Sequence, residues 1–346
     1  MVQKAKPTNR APKVVDVARL AGVSTATVSR VLNDPEKVSQ NTREAVLAAV
    51  KETGYRINRA ARNLRTNSTR SILALVPNLS NPFFSNILSG LERALNAEDY
   101  SLLVTDSGDA PLTPDQMDRL IAAGQADGLI VLDGSISQAD FAEVQANNPS
   151  CPIVFACEWV NDVNCPSVRA DNVGGVATLV DHLWENGHRR FGHVMGPTSN
   201  VLSTVRRDAF VTRVSELGGE TRNPWILQGT FSIDAGRAAA EAISAMSDRP
   251  TAWICASDQI AFGLISGLTR AGINVPDDAS VAGFDNIEMT EVFNPPLTTI
   301  HQPRNKMGHQ AAQSILELIR GQENRAQVHI LPVQLVNRES TGPAPR

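Results

Sequence analysis

Between Val14 and Asn33 the chain reads Val-Val-Asp-Val-Ala-Arg-Leu-Ala-Gly-Val-Ser-Thr-Ala-Thr-Val-Ser-Arg-Val-Leu-Asn, two short apolar-periodic segments broken at Ala21-Gly22-Val23-Ser24. This is the pattern of two helices joined by a tight turn. Ala18 is small where the helices cross, Gly22 tolerates the positive φ that the turn demands, and Val28 returns to the core from the second helix. Ser24 is placed to cap that second helix, whose exposed face carries Thr25, Ala26, Ser29, Arg30 and, at its end, Asn33. Such a face suits base edges in a major groove; a helical hairpin without that role is the alternative.

Charge separates the two readings. The chain as a whole is at −4, yet residues 1–70 hold 14 Lys and Arg against 5 Asp and Glu, a local balance of +9, leaving 18 against 31 in the remainder. A basic headpiece on an acidic body is what phosphate neutralisation requires of a DNA reader with a separate regulatory part. A solvated basic tail does not explain why Arg43, Arg56, Arg59, Arg62 and Arg65 fall among helix-patterned residues.

With 346 residues and 42% hydrophobic content the chain can bury two or three cores. It contains no apolar run of membrane-spanning length, and its first residues carry no apolar signal core, so a cytoplasmic location without membrane contact is expected. Cys151, Cys157, Cys165 and Cys255 lack paired spacing, which favours reduced thiols over a disulfide frame or zinc site. His182, His188 and His193 lack ligand spacing on one helical face and read as surface or helix-end residues. No cofactor motif is present, neither Gly-x-Gly-x-x-Gly after a strand nor a P-loop, and no His-Glu-x-x-His or Gly-x-Ser-x-Gly.

A third helix opens at Ser39 with apolar Val46, Leu47 and Val50, ending near Gly54. Asn58–Arg65 is helix-capable but too short and polar to hold alone in water, and could fold on DNA; Thr66–Arg70 reads as a linker. From Ser71 strands and helices alternate. Strands are expected at 72–76, 102–105, 129–132 and 153–156, and a second series at 190–197, 253–255 and 280–284 repeats the order strand, proline, loop, helix. Two similar doubly wound parallel-sheet subdomains follow, with a cleft beyond the carboxyl ends of their strands. Phe83 and Phe84, Trp159 and Phe231, on strand-end loops of a chain with only 5% aromatics, offer flat faces for a sugar or base ring; each is also a candidate for the core.

Asp16-Val-Ala with Ala21-Gly-Val-Ser-Thr-Ala-Thr-Val-Ser-Arg-Val-Leu-Asn33, Asn58–Arg65, Val275-Pro-Asp-Asp-Ala-Ser-Val-Ala-Gly-Phe-Asp-Asn286 and Pro295-Pro-Leu-Thr-Thr-Ile-His-Gln-Pro303 together resemble the LacI/GalR, or lactose-repressor, family of transcriptional regulators, from Val14 onward. The resemblance implies an all-α helix-turn-helix headpiece (1–57), a hinge helix and linker (58–70), and a periplasmic-binding-protein-like α/β core (71–346) for effector binding and dimerisation. Its N-subdomain would take about 71–170 and 302–329, its C-subdomain about 171–301 and 330–342. It further implies a homodimer on a pseudopalindromic double-stranded operator. The tail after Arg338 is too short for a heptad run, so no tetramer is expected.

Carried over residue by residue, the family pattern puts base reading on Thr25, Ala26 and Arg30, and a minor-groove wedge on Leu64 with Arg62 and Arg65 beside it. It places Arg206 and Asp285 as effector clamps, with Asn200, Ser257 and Asp258 as further candidates. Cys157 stands where certain sugar-binding members carry an acid, and Asn200 where the purine-responsive type carries an arginine, so the effector class does not transfer. Leu75-Val-Pro-Asn and Ala156-Cys-Glu resemble the cytidine-repressor branch, pointing to a nucleoside, but such words are widespread in the family; a sugar, sugar acid or sugar phosphate stays open. A solute-binding protein would share the cleft but needs a signal peptide and no basic headpiece. An enzyme of similar fold would need a catalytic motif.

Overall fold

The computed structural model describes residues 12–55, 68–108, 112–122, 126–322 and 327–345. Asn58, Arg62, Leu64 and Arg65, and the side chain of Asn33, lie outside them. The chain divides into two compact units, Met1–Ser68 and Thr69–Arg346.

In the first unit α1 (Val14–Ala21) and α2 (Thr25–Asn33) are followed by a short 3-10 turn and α3 (Gln40–Thr53). Gly22 takes φ 67°, and Ser24 Oγ accepts the Thr27 amide at 3.1 Å, so the turn and the cap form where the sequence placed them. Val17, Ala18, Val28, Val31, Val46 and Ala49 close the core. Leu47 does not join it. Helical periodicity turns that side chain outward, where it stays half exposed, and Ala49 takes the inward place.

The second unit contains β1 (Ser71–Val76), β2 (Ser101–Asp106), β3 (Gly128–Val131), β4 (Ile153–Ala156), β5 (Ser167–Ala170), β6 (Phe191–Met195), β7 (Ile226–Gln228), β8 (Ala252–Cys255), β9 (Ser280–Ala282), β10 (Thr299–His301), β11 (Val328–Leu331) and β12 (Gln334–Val336). One six-stranded parallel sheet runs β11-β5-β4-β3-β1-β2, and one four-stranded parallel sheet runs β7-β6-β8-β9. β10 and β12 form an antiparallel pair. Central strands such as Ile153–Ala156 and Ala252–Cys255 are buried at every position, as sheets covered on both faces require.

β5, β7, β10, β11 and β12 are strands that the hydrophobic pattern did not mark. Ser167-Val-Arg-Ala and Ile226-Leu-Gln are short and half polar, and take their conformation from a neighbouring strand rather than from their own apolar run. The chain passes between the two layers three times: from β5 into helix Asn172–Glu185, from β10 into helix Arg304–Ile319, and from β11 to β12. Helix Arg304–Ile319 lies close on helix Phe83–Asn96 in the first layer. A Cβ at Gly308 would collide with the Ile87 carbonyl, and one at Gly90 with that of Asn305, so the approach depends on both glycines.

Candidate functional site

Two sites follow from this architecture, one in each unit. On α2, Thr25, Ala26 and Arg30 are exposed and Ser29 is half-buried. The helix is held from below by Val28 and Val31, which leaves this face clear of the headpiece's own core. Arg30 forms no ion pair among the described residues, unlike Arg19 with Asp16 or Arg43 with Glu36.

In the second unit a cavity of about 390 Å³ lies between the two sheets at the carboxyl ends of their strands. Pro77 and Asn78 follow β1, Gly108 follows β2, Asp133 and Ser135 follow β3, and Cys157 and Glu158 follow β4. From the other layer come Ser199 and Asn200 after β6, Thr230 and Phe231 after β7, Ser257 after β8 and Asp285 after β9. Phe83 and Phe84 complete the wall, edge to face at 5.1 Å. Two backbone positions on it are forced: Cys157 at φ 69° and Asp285 at φ 124°, conformations that non-glycine residues hold at a cost and that cluster at binding sites.

Arg206 is buried. Its Nε donates to Asn172 Oδ1 at 2.9 Å, its Nη1 to the Ala256 carbonyl at 2.5 Å, and its guanidinium lies 3.9 Å over the Phe284 ring. Asp285 Oδ1 accepts from Gln302 Nε2 at 2.7 Å and stands 3.9 Å from Arg206 Nη1; burial raises its carboxyl to about 6 against the pull of Arg206 and Arg304. Asp133 is satisfied by Ser107 Oγ at 2.6 Å and by the amide and hydroxyl of Ser135. Glu158 Oε2 accepts from the Gly134 amide at 2.6 Å and Asn200 Nδ2 at 2.7 Å, and burial raises this carboxyl to about 7. Asn200 and Ser257 also cap helices, accepting the Leu202 and Ile260 amides.

The cavity thus gathers Phe83, Phe84, Asn200, Arg206, Phe231, Ser257 and Asp285. It does not gather Trp159 or Asp258. Trp159 faces an adjoining groove of about 440 Å³, its Nε1 bonded to Asn161 and its ring under the Arg169 guanidinium at 4.0 Å. Asp258 turns into the protein, accepting from Thr299 Oγ1 at 2.6 Å and the Ile287 amide at 2.9 Å, and there it ties β10 to the loop after β9. Glu158, an uncertain candidate from the sequence, lines the cavity, and so does Asp133, which the sequence reading did not mark. Each stands two residues past a buried strand, and for Asp133 that position was the available signal.

Two histidines need correction. His188 is buried, bonded to Thr251, Ser280 and the Gly342 carbonyl, and His193 is buried on β6 with Nδ1 on the Ile254 carbonyl; neither sits at the surface. All four cysteines are free. Among the described residues no group of His, Cys, Asp and Glu is arranged to hold a metal ion, and no helix is long and apolar enough to cross a membrane.

A helix-turn-helix unit with an exposed face on α2, in one chain with a two-layered domain that holds a polar cleft, defines a DNA-binding regulator. Residues 13–58 match the model of bacterial regulatory proteins of the lacI family, and residues 180–341 match a periplasmic binding protein-like domain. The chain is 36% identical over 342 residues to the HTH-type transcriptional repressor CytR of Escherichia coli strain K12, covering 99% of this chain and 100% of that protein. It is 36% identical over 330 residues to the repressor PurR of Photobacterium profundum, covering 94% and 98%. Among solved structures, the Lac repressor dimer bound to operator and the anti-inducer ONPF matches at TM-score 0.87 and 28% identity, over 96% of this chain and 100% of that one. The chain belongs to the LacI family of bacterial transcriptional regulators. It is a DNA-binding regulator and not an enzyme.

Proposed function

We propose that the protein is a cytoplasmic repressor that binds a two-fold operator as a homodimer and answers to a neutral, polyhydroxylated ring compound, a nucleoside or a sugar, held in the cleft. The charge of the cavity carries the effector part of this reading. Among its lining residues Asp133 and Asp285 face it, with Glu158 as a third carboxyl group that burial makes partly protonated, against the guanidinium of Arg206, so a phosphate or a sugar acid would meet more negative than positive charge. A neutral ring fits better: Phe83, Phe84 and Phe231 cover its faces, while Arg206 and Asp285 take paired hydroxyls as donor and acceptor.

Relatives support this chemistry. A LacI family regulator from Enterococcus faecium with bound ribose matches at TM-score 0.70 and 27% identity, over 79% of this chain and 99% of that one. Operator binding by a dimer is supported by the Lac repressor complex, and base reading by Thr25, Ala26 and Arg30 by their exposure on α2.

A thermal-shift screen of the full-length protein tests the effector class, because a ligand that binds only the folded state raises the melting temperature. Ribose, a set of nucleosides, hexoses and their phosphorylated counterparts form the panel. Stabilisation by a neutral member is expected, and stabilisation by phosphorylated members alone would overturn the reading.

A further inference from the structure

Glu158 and Asn200 belong to opposite layers of the second unit, one following β4 of the six-stranded sheet and the other following β6 of the four-stranded sheet. Oε2 of Glu158 joins them, taking the Gly134 amide of its own layer and Asn200 Nδ2 of the other. The pair is also a wall: the main cavity lies on one side, and the groove lined by Gly134, Trp159 and Asn200 lies on the other. Both side chains are buried, at 4% and 6% exposure. Any parting of the layers at this point breaks the bond and opens the carboxyl group further to water.

We propose that the Glu158–Asn200 bridge is a proton-controlled latch, the bridged arrangement holding a proton on Glu158 and the opened arrangement releasing it. The surrounding acidity then biases the cleft before any effector arrives, so the proposal does not depend on which compound the cleft binds.

The direction comes from two opposed effects. Asn200, the Gly134 amide and the Arg206 guanidinium favour the carboxylate, whereas burial, the largest influence, and Asp133 at the end of β3 disfavour it. Of the other groups near it, Cys157 is a buried thiol pushed well up and hence neutral, Asp285 faces Arg206, and Arg169 lies on the Trp159 ring. Burial wins, and the carboxyl stands near 7 where its ordinary value is 4.5. Opened to water it moves back toward that value, so between about 4.5 and 7 the bridged arrangement keeps a proton that the opened one has lost. Acid therefore favours the bridge, and rising pH through 7 weakens it. The geometry permits this: a protonated Glu158 still accepts both bonds at Oε2, and its Oε1, which takes no hydrogen bond among the described residues, carries the proton.

Hydrogen–deuterium exchange of the full-length protein at pH 6 and pH 8, corrected for intrinsic exchange rates, tests the latch. The peptides to follow contain Gly134 and Leu202, whose amides donate to Glu158 and Asn200. Protection in wild type should be about tenfold greater at pH 6 than at pH 8. Glu158→Gln, which keeps an acceptor and cannot ionise, should hold high protection at both, and Asn200→Ala low protection at both. Difference infrared spectra should show a carboxylic-acid band that disappears between pH 6 and pH 8 in wild type and is missing from Glu158→Gln. Equal protection at the two pH values in wild type, or the wild-type pH response surviving in Glu158→Gln, would overturn the proposal.

Discussion

Arg206 Nη1 stands 3.9 Å from Asp285 Oδ1, close enough to share charge and too far for a full hydrogen bond. Each is already anchored elsewhere, Arg206 on Asn172 and the Ala256 carbonyl, Asp285 on Gln302. Nη2 of Arg206 and Oδ2 of Asp285 take no protein partner among the described residues, so a donor and an acceptor are left for a ligand with both side chains held in place.

Asp285→Asn keeps the shape and the Gln302 contact while removing the charge. A hydrogen bond to a charged group contributes about 1.5–3 kcal/mol, so affinity for a stabilising member of the thermal-shift panel should fall roughly ten- to a hundredfold. Operator affinity without ligand should stay within a few-fold of wild type, because the headpiece is untouched. Fluorescence anisotropy with labelled operator, with and without that compound, measures both; an unchanged ligand response would place the effector elsewhere.

Arg30→Ala should weaken operator binding by about 1–3 kcal/mol per half-site and relax discrimination at one base pair, since a guanidinium on the exposed face of α2 suits bidentate pairing with guanine. Equal weakening on operator and random DNA would identify Arg30 as a phosphate contact. Competition titrations at a fixed salt concentration separate the two outcomes.

The headpiece was readable because local chemistry determines it: Gly22 and Ser24 fix the turn and cap, and their neighbours alternate with helical period. The cleft was readable wherever a fully buried apolar strand preceded it, and the cavity there is lined by Phe83, Asn200, Ser257 and Asp285. What sequence leaves open is which way a strand-end side chain turns. Trp159 and Glu158 are neighbours, yet Glu158 reaches the cavity and Trp159 the groove behind it, because the chain bends past the end of β4, with Cys157 at φ 69°, and strand alternation no longer sets the side-chain direction. Asp258, beside Ser257, turns inward because the Ile287 amide and Thr299 hydroxyl need an acceptor there. His193 was hidden by the same limit, since its acceptor, the Ile254 carbonyl, comes from a strand that pairs with it 61 residues later.

A fragment comprising residues 69–346 should fold alone, because that unit closes its own cores and its first residue is tied down by Asp127, which accepts from the amide and hydroxyl of Thr69. It should bind the same small molecule as the full chain and lose measurable affinity for operator DNA, the excess of Lys and Arg having gone with residues 1–68. Calorimetry on the fragment and anisotropy with labelled DNA test the two halves. Retained operator affinity would place DNA recognition outside the headpiece.

His193 sets an acid limit on stability. Its ring is fully buried, stacked on Phe210 at 5.1 Å, with Nδ1 donating to the Ile254 carbonyl and Nε2 without a partner among the described residues. Burial, with Arg206 and Arg207 nearby, lowers its pKa from 6.5 to about 4. In the unfolded chain the ring takes a proton below 6.5, and in the folded protein only near 4, so its contribution is complete above 6.5 and is lost as pH falls through that window. Between pH 7 and pH 5 the loss should be about 2 kcal/mol. Glu158 contributes with the opposite slope, so the comparison is with His193→Gln, which retains a donor for Ile254 and an unchanged Glu158. Urea unfolding of both proteins at the two pH values should find the wild-type advantage smaller at pH 5 by about that amount. A difference between the two proteins that does not move with pH would mean that His193 takes up a proton as readily in the folded protein as in the unfolded chain.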